Sequence, residues 1–130
     1  DQVDHIWARA ILSSKKAIKK QYPSITEDLI VQYKAQLNRL ANLQILDSVV
    51  NNEKSNVPFS EWVNATYLDN PSLNRYKQEH FIPNGISLEF SDFLQFVKAR
   101  EELLKLQIKK AFPTDFNELV DRYSLRNKLV

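Results

Sequence analysis

The sequence predicts a mainly α-helical chain with one small β-hairpin. Three observations carry this. Apolar residues recur at helical spacing through most of the chain, only two short runs (2–7 and 41–46) are β-prone, and Gly85 is the only glycine. A helix that packs on a core shows apolar residues every three or four positions, whereas a strand alternates. A chain so poor in glycine lacks the tight turns of an all-β fold and the Gly-rich loop that cradles phosphates. With 130 residues, 43% hydrophobic and 26% charged, the chain is long enough to bury one core and too apolar to remain disordered.

The elements follow in order. Residues 2–7, QVDHIW, form the first strand. The segment ARAILSSKKAIKKQY is helical or mixed, and Pro23 stops it. Ser24 with Glu27 makes a capping box for a helix carrying Ile25, Leu29, Ile30, Tyr33 and Leu37. The run ANLQIL at 41–46 forms the second strand. Asp47 or Ser48 caps the helix VVNNEKSN, which must end before Pro58. Ser60 caps EWVNATYL, and Asn70 caps a helix with Pro71 at its first position. FIPNGI at 81–86 breaks the chain. A long helix starts at Ser91 or Asp92 and reaches Phe112, Pro113 ends it, and a last helix covers 115–127.

Absences in the sequence narrow the chemistry. There is no cysteine, so disulfides and thiolate-bound zinc are excluded and a reducing cytoplasm is the expected location. No run of 18 apolar residues offers a membrane span, and no signal peptide is visible. Methionine is absent even at position 1, which reads as a fragment of a larger protein with a further domain upstream.

The net charge of +2 decides little, but its distribution is uneven. Between Asp4 and Glu27 lie Arg9, Lys15, Lys16, Lys19 and Lys20 with no acidic residue. Such a block suits a phosphate backbone, although a lysine run is ordinarily just a solvated helix face. Arg39 is a further candidate phosphate contact. Of the two histidines, His5 follows Asp4 directly near a strand end, while His80 lacks a motif partner and reads as structural. Trp7 and Trp62 read as core packing rather than base-stacking platforms, and Arg100 as structural. Asn51 and Lys54 sit three residues apart in the helix after the second strand, so they share a face.

These residues resemble a known family, the HNH or ββα-metal nucleases. The matching stretches are VDHI (3–6), NLQIL (42–46) and NNEKSNVP (51–58). Their spacing is similar to the HNH domain of the RNA-guided CRISPR nuclease. LNRLANLQIL, SNVPF and the later HFIP and DFLQFVKAREELL are similar to the C-terminal nuclease domain of GmrSD-type modification-dependent restriction enzymes. The likeness covers roughly residues 3–112. It departs at Ala8, where the family often has Pro, and in the long segment between His5 and Asn42. The middle Asn is Asn42 or, alternatively, Asn38.

The resemblance implies one domain over 1–130: a ββα-metal core at about 2–57 with a helical insertion, packed on a helical subdomain at 58–130. It implies a metal-dependent endonuclease acting on double-stranded DNA in restriction or phage defence, with an upstream sensor or NTPase-type domain. His5 would be the general base, and Asp4 and Asn51 the ligands of one Mg²⁺ or Mn²⁺. Asn42 would brace the loop that orients His5, and Lys54 would hold or neutralise phosphate. The chemistry is coherent on general grounds. Phosphodiester hydrolysis needs an activated water and charge relief for the phosphoryl oxygens. An imidazole, which titrates near neutral pH, suits the first task, and a hard cation on oxygen donors the second. The alternative is a helical module that binds nucleic acid or protein through a decayed nuclease scaffold.

Overall fold

The computed structural model describes residues 1–113, 118, 121 and 122. The helix expected over 115–127 lies, but for those three positions, outside the described residues.

Strands β1 (Gln2–His5) and β2 (Leu43–Leu46) pair antiparallel, with Asp4 opposite Gln44 and His5 opposite Leu43. Alternation gives this hairpin two unlike faces. Val3 and Ile45 are exposed on one, whereas Gln44 and Leu46 turn into the protein on the other. β1 is shorter than the β-prone run 2–7. Ile6 and Trp7 are both buried, and consecutive residues of a flat strand cannot both face one core. The chain therefore bends after His5.

Three short helices separate the strands: α1 (Arg9–Leu12), α2 (Lys15–Gln21) and α3 (Glu27–Ala35). Ser14 caps α2 by accepting from the Ala17 amide at 3.1 Å. Thr26, not Ser24, caps α3, accepting from the Leu29 amide at 3.4 Å. The expected capping box fails because Ile25 is drawn into the core, so the chain turns at 22–25 and the helix starts later. A 3₁₀ turn, Leu40–Asn42, then leads into β2, so Asn42 precedes the strand instead of opening it.

Helix α4 (Ser48–Lys54) is capped by Asp47, whose carboxylate accepts from the Val50 amide at 2.9 Å. It ends at Ser55, which takes a left-handed φ of 43°. Helix α5 (Phe59–Thr66) starts directly after Pro58. Ser60 is a buried residue within it and not its cap. Asp69, one residue ahead of the expected Asn70, caps α6 (Asn70–Glu79). Helix α7 (Phe93–Ala111) follows a 3₁₀ turn at Phe90–Asp92.

One aromatic-rich core joins both halves of the chain. Trp7, beside the hairpin, packs at 4.7 Å on Phe90 and 6.2 Å on Phe59. Tyr33 of α3 meets Phe90 and Phe93 edge-on, and its hydroxyl donates to the Phe90 carbonyl at 2.8 Å. Both tryptophans are buried, which takes them out of reach of a base. Arg100 of α7, 3% exposed, donates to the carbonyls of Leu40 and His80, each at 3.0 Å. It thereby ties α7 to the approach of β2 and to the end of α6. Among the described residues no helix is long and apolar enough to cross a membrane.

Candidate functional site

One buried side chain bonds both sides of the backbone at the bend after His5. Asn42 is fully buried. Its Oδ1 accepts from the Trp7 amide at 2.9 Å, and its Nδ2 donates to the carbonyls of Trp7 at 3.1 Å and Leu37 at 2.9 Å. The Asn42 carbonyl accepts from the Ile6 amide at 2.7 Å. Both N–H donors and the oxygen of this amide bond to backbone, and a buried polar group so satisfied sets one conformation. Asn42 is thus a positioning residue, out of reach of a substrate.

The His5 ring lies at the strand end, with Nε2 2.9 Å from Asn38 Oδ1. An amide oxygen only accepts, so this contact places the proton on Nε2 and leaves the Nδ1 lone pair as the basic nitrogen. Arg9 also reaches Asn38 Oδ1, at 3.4 Å. The two candidates for the middle Asn therefore do different things: Asn42 shapes the backbone and Asn38 holds the ring.

Asp4 points the other way, toward α4. Its side chain is 11% exposed, and its Oδ2 accepts from Gln44 Nε2 and from Lys54 Nζ, each at 3.1 Å. Lys54 Nζ also donates to the His5 carbonyl at 2.8 Å. The Lys54 side chain is 0% exposed. Burial lowers its pKa, and the neighbouring Asp4 carboxylate opposes that shift. This corrects the expectation that Lys54 touches phosphate. The last turn of α4 carries its side chain under the hairpin, where a carboxylate and a carbonyl take two of its three N–H donors and the Trp62 ring lies 5.8 Å away.

Asn51 lies one turn earlier on α4, and its Nδ2 donates to Gln2 Oε1 at 2.6 Å. Asp4, His5, Arg9 and Asn51 line one open cleft of about 370 Å³, together with Asn52, Ser55 and Asn56. Among the described residues, Arg9 is the only Lys or Arg lining it. Arg39 does not line the cleft. The lysine block lies on α2, where Lys15 and Lys19 pair with Glu27 at 2.6 and 3.8 Å. Those lysines lower the Glu27 pKa. Exposed pairs of this kind are weak and yield to a competing anion.

The donor chemistry fits a hard cation of low affinity. Asp4 offers a carboxylate and Asn51 an amide oxygen, and both residues line the cleft. Among the described residues, no three His, Asp or Glu side chains cluster as a fuller cage. Mg²⁺ keeps several of its waters and accepts such a sparse set.

Sequence reasoning missed the supports of Asp4. Gln44 is 5% exposed and passes the contact on, because its Oε1 accepts from the Tyr76 hydroxyl at 2.7 Å. A signal was present in LQIL: in a two-stranded hairpin Gln44 shares the inward face with Leu46. A polar residue on that face requires a polar partner. His80 stacks on Tyr76 at 4.7 Å, away from the cleft, and burial lowers its pKa. No family model, no curated protein and no solved structure matches this chain.

Proposed function

We propose that this chain is a divalent-metal-dependent endonuclease domain with a ββα-metal core, hydrolysing the backbone of double-stranded DNA. The observation that supports the reading best is the arrangement at the end of β1. A histidine with a defined basic nitrogen stands beside a carboxylate and an amide on one open cleft. The resemblance of VDHI, NLQIL and NNEKSNVP to HNH nucleases points the same way.

In this reading His5 Nδ1 takes the proton of the attacking water while Asn38 holds Nε2. Arg9 neutralises the phosphate beside it. Asp4 and Asn51 would hold one Mg²⁺ or Mn²⁺, which supplies charge relief to the phosphoryl and leaving oxygens when bound. Asn42 and Lys54 keep the loop and the carboxylate in place. Restriction or phage defence is the proposed setting, with target recognition contributed by an upstream domain. Backbone contacts carry no sequence information, so a nuclease centre needs such a partner.

The test is nicking of supercoiled plasmid by the purified chain. Cleavage with Mg²⁺ or Mn²⁺, stopped by EDTA and lost in His5→Ala, is the expected result. DNA binding without metal-dependent cleavage would instead assign the chain to the binding modules, and cleavage that survives EDTA would refute the metal-site assignment.

A further inference from the structure

The inward end of Asp4 is held by a line of polar side chains running into the aromatic core. Tyr76 is 2% exposed, and its hydroxyl donates to Gln44 Oε1 at 2.7 Å. Gln44 Nε2 donates to Asp4 Oδ2 at 3.1 Å, and Lys54 Nζ meets the same oxygen at 3.1 Å. Both contacts fall on Oδ2. Among the described residues none falls on Oδ1. A carboxylate pinned by two donors on one oxygen presents the other in a fixed direction.

Each member of the line has a reason to point as it does. An amide offers a donor at one end and an acceptor at the other. Were Gln44 turned over, its oxygen would face the Asp4 carboxylate and repel it. The Tyr76 hydroxyl, donating to Oε1, favours the orientation in which Nε2 faces Asp4. Tyr76 is itself clamped by rings, stacked on Tyr67 at 4.5 Å and on His80 at 4.7 Å, with Trp62 edge-on at 5.5 Å. Apolar residues of similar volume would fill this space without the desolvation cost of buried polar groups.

We propose that Gln44 and Tyr76 are positioning residues that aim the free oxygen of Asp4 at the metal, Tyr76 acting solely through Gln44. This rests on the metal-site reading above. Groups that hydrogen-bond a metal ligand typically change metal affinity by ~10–100-fold when removed. The effect here falls at the lower end, because Lys54 still holds Asp4 Oδ2 when Gln44 is gone.

The experiment is Mn²⁺ binding by electron paramagnetic resonance, without DNA, on wild type, Gln44→Leu, Tyr76→Phe and the double variant. Circular dichroism establishes that each is folded. Gln44→Leu is expected to weaken binding about tenfold and Tyr76→Phe about threefold. The double variant should match Gln44→Leu, because the Tyr76 hydroxyl meets Gln44, and Tyr76→Phe leaves the ring in place on Trp62, which Lys54 Nζ overlies at 5.8 Å. Tyr76→Phe keeps the ring packing, so it decides the matter even if Gln44→Leu does not fold. Wild-type binding with an unchanged Tyr76→Phe affinity overturns this inference alone, as does a Tyr76→Phe loss that persists undiminished in the Gln44→Leu background. A wild type that binds no Mn²⁺ refutes the metal-site reading and this inference with it.

Discussion

Replacing Lys54 by Met separates two incompatible roles for that side chain. Met keeps most of the apolar stem and removes the ammonium. The structure has Lys54 Nζ buried, 3.1 Å from Asp4 Oδ2 and 2.8 Å from the His5 carbonyl. Removing one partner of a buried pair costs ~3–5 kcal/mol, because the other charge is left uncompensated. Asp4 retains the Gln44 hydrogen bond and is 11% exposed, which argues for the lower end of that range. A loss of about 3 kcal/mol corresponds to a fall in Tm on the order of 10 °C for a domain of this size. Urea and thermal denaturation by circular dichroism, in EDTA, measure it; EDTA matters because a cation at Asp4 would substitute for the missing ammonium. In an Asp4→Asn background the same replacement should cost far less, because it removes an ammonium already left buried without its carboxylate, which offsets the lost hydrogen bond to the His5 carbonyl. A Lys54→Met protein as stable as wild type would refute the buried pair and return Lys54 to the phosphate-binding surface.

Four further outcomes follow from the same geometry. His5→Ala should lower single-turnover cleavage by ~10²–10⁴ while DNA binding, read by fluorescence anisotropy, stays the same; activity within threefold of wild type would remove His5 from the chemistry. Asn51→Ala should raise the Mg²⁺ concentration needed for half-maximal cleavage, and an unchanged metal titration would exclude Asn51 as a ligand. Replacing Lys15, Lys16, Lys19 and Lys20 by Gln should flatten the log–log salt dependence of DNA binding by up to ~0.9 per lysine that meets a phosphate; an unchanged slope would make α2 a solvated face. Burial lowers the His80 pKa, so below its ordinary value of 6.5 the unfolded chain binds the proton more readily than the folded one. Stability should therefore fall as pH drops below that value, and His80→Gln should flatten this slope in urea titrations at stepped pH; an identical slope would exclude His80 as its source.

The sequence carried the hairpin and most helices because local rules and tertiary packing agreed there. Asp47 before VVNNEK and the apolar stripe of 93–111 announce helices that the structure contains. Three of the failures share a cause: residues claimed by the core. Ile25 displaces the cap of α3 from Ser24 to Thr26, Ile6 and Trp7 shorten β1, and Ser60 is buried within α5 rather than capping it. At the site, the sequence supplied which side chains stand near each other but not where they point. Lys54 shares a helix face with Asn51, yet that face rolls under the hairpin and only Asn51 borders the cleft. Asn38 was legible as an alternative to Asn42, whereas their division of labour depends on a bend that only packing creates.

The pair that stabilises the site also limits it. Lys54 cancels much of the Asp4 charge from behind, so the cleft presents one neutralised carboxylate and one neutral amide to a cation. Coulomb attraction falls accordingly, and affinity for a free divalent ion should be low. A phosphate group entering beside Arg9 restores negative charge on the open side of the cleft. Under the proposed function the metal is then held jointly by protein and substrate, and its apparent affinity rises when DNA is bound. Such coupling is reciprocal: if DNA tightens the metal, the metal tightens DNA by the same factor. The arrangement of Lys54 behind Asp4 and Arg9 in front thus favours a centre that holds its metal weakly alone and more tightly on its substrate. That property suits a nuclease that must stay idle until it is placed on its target.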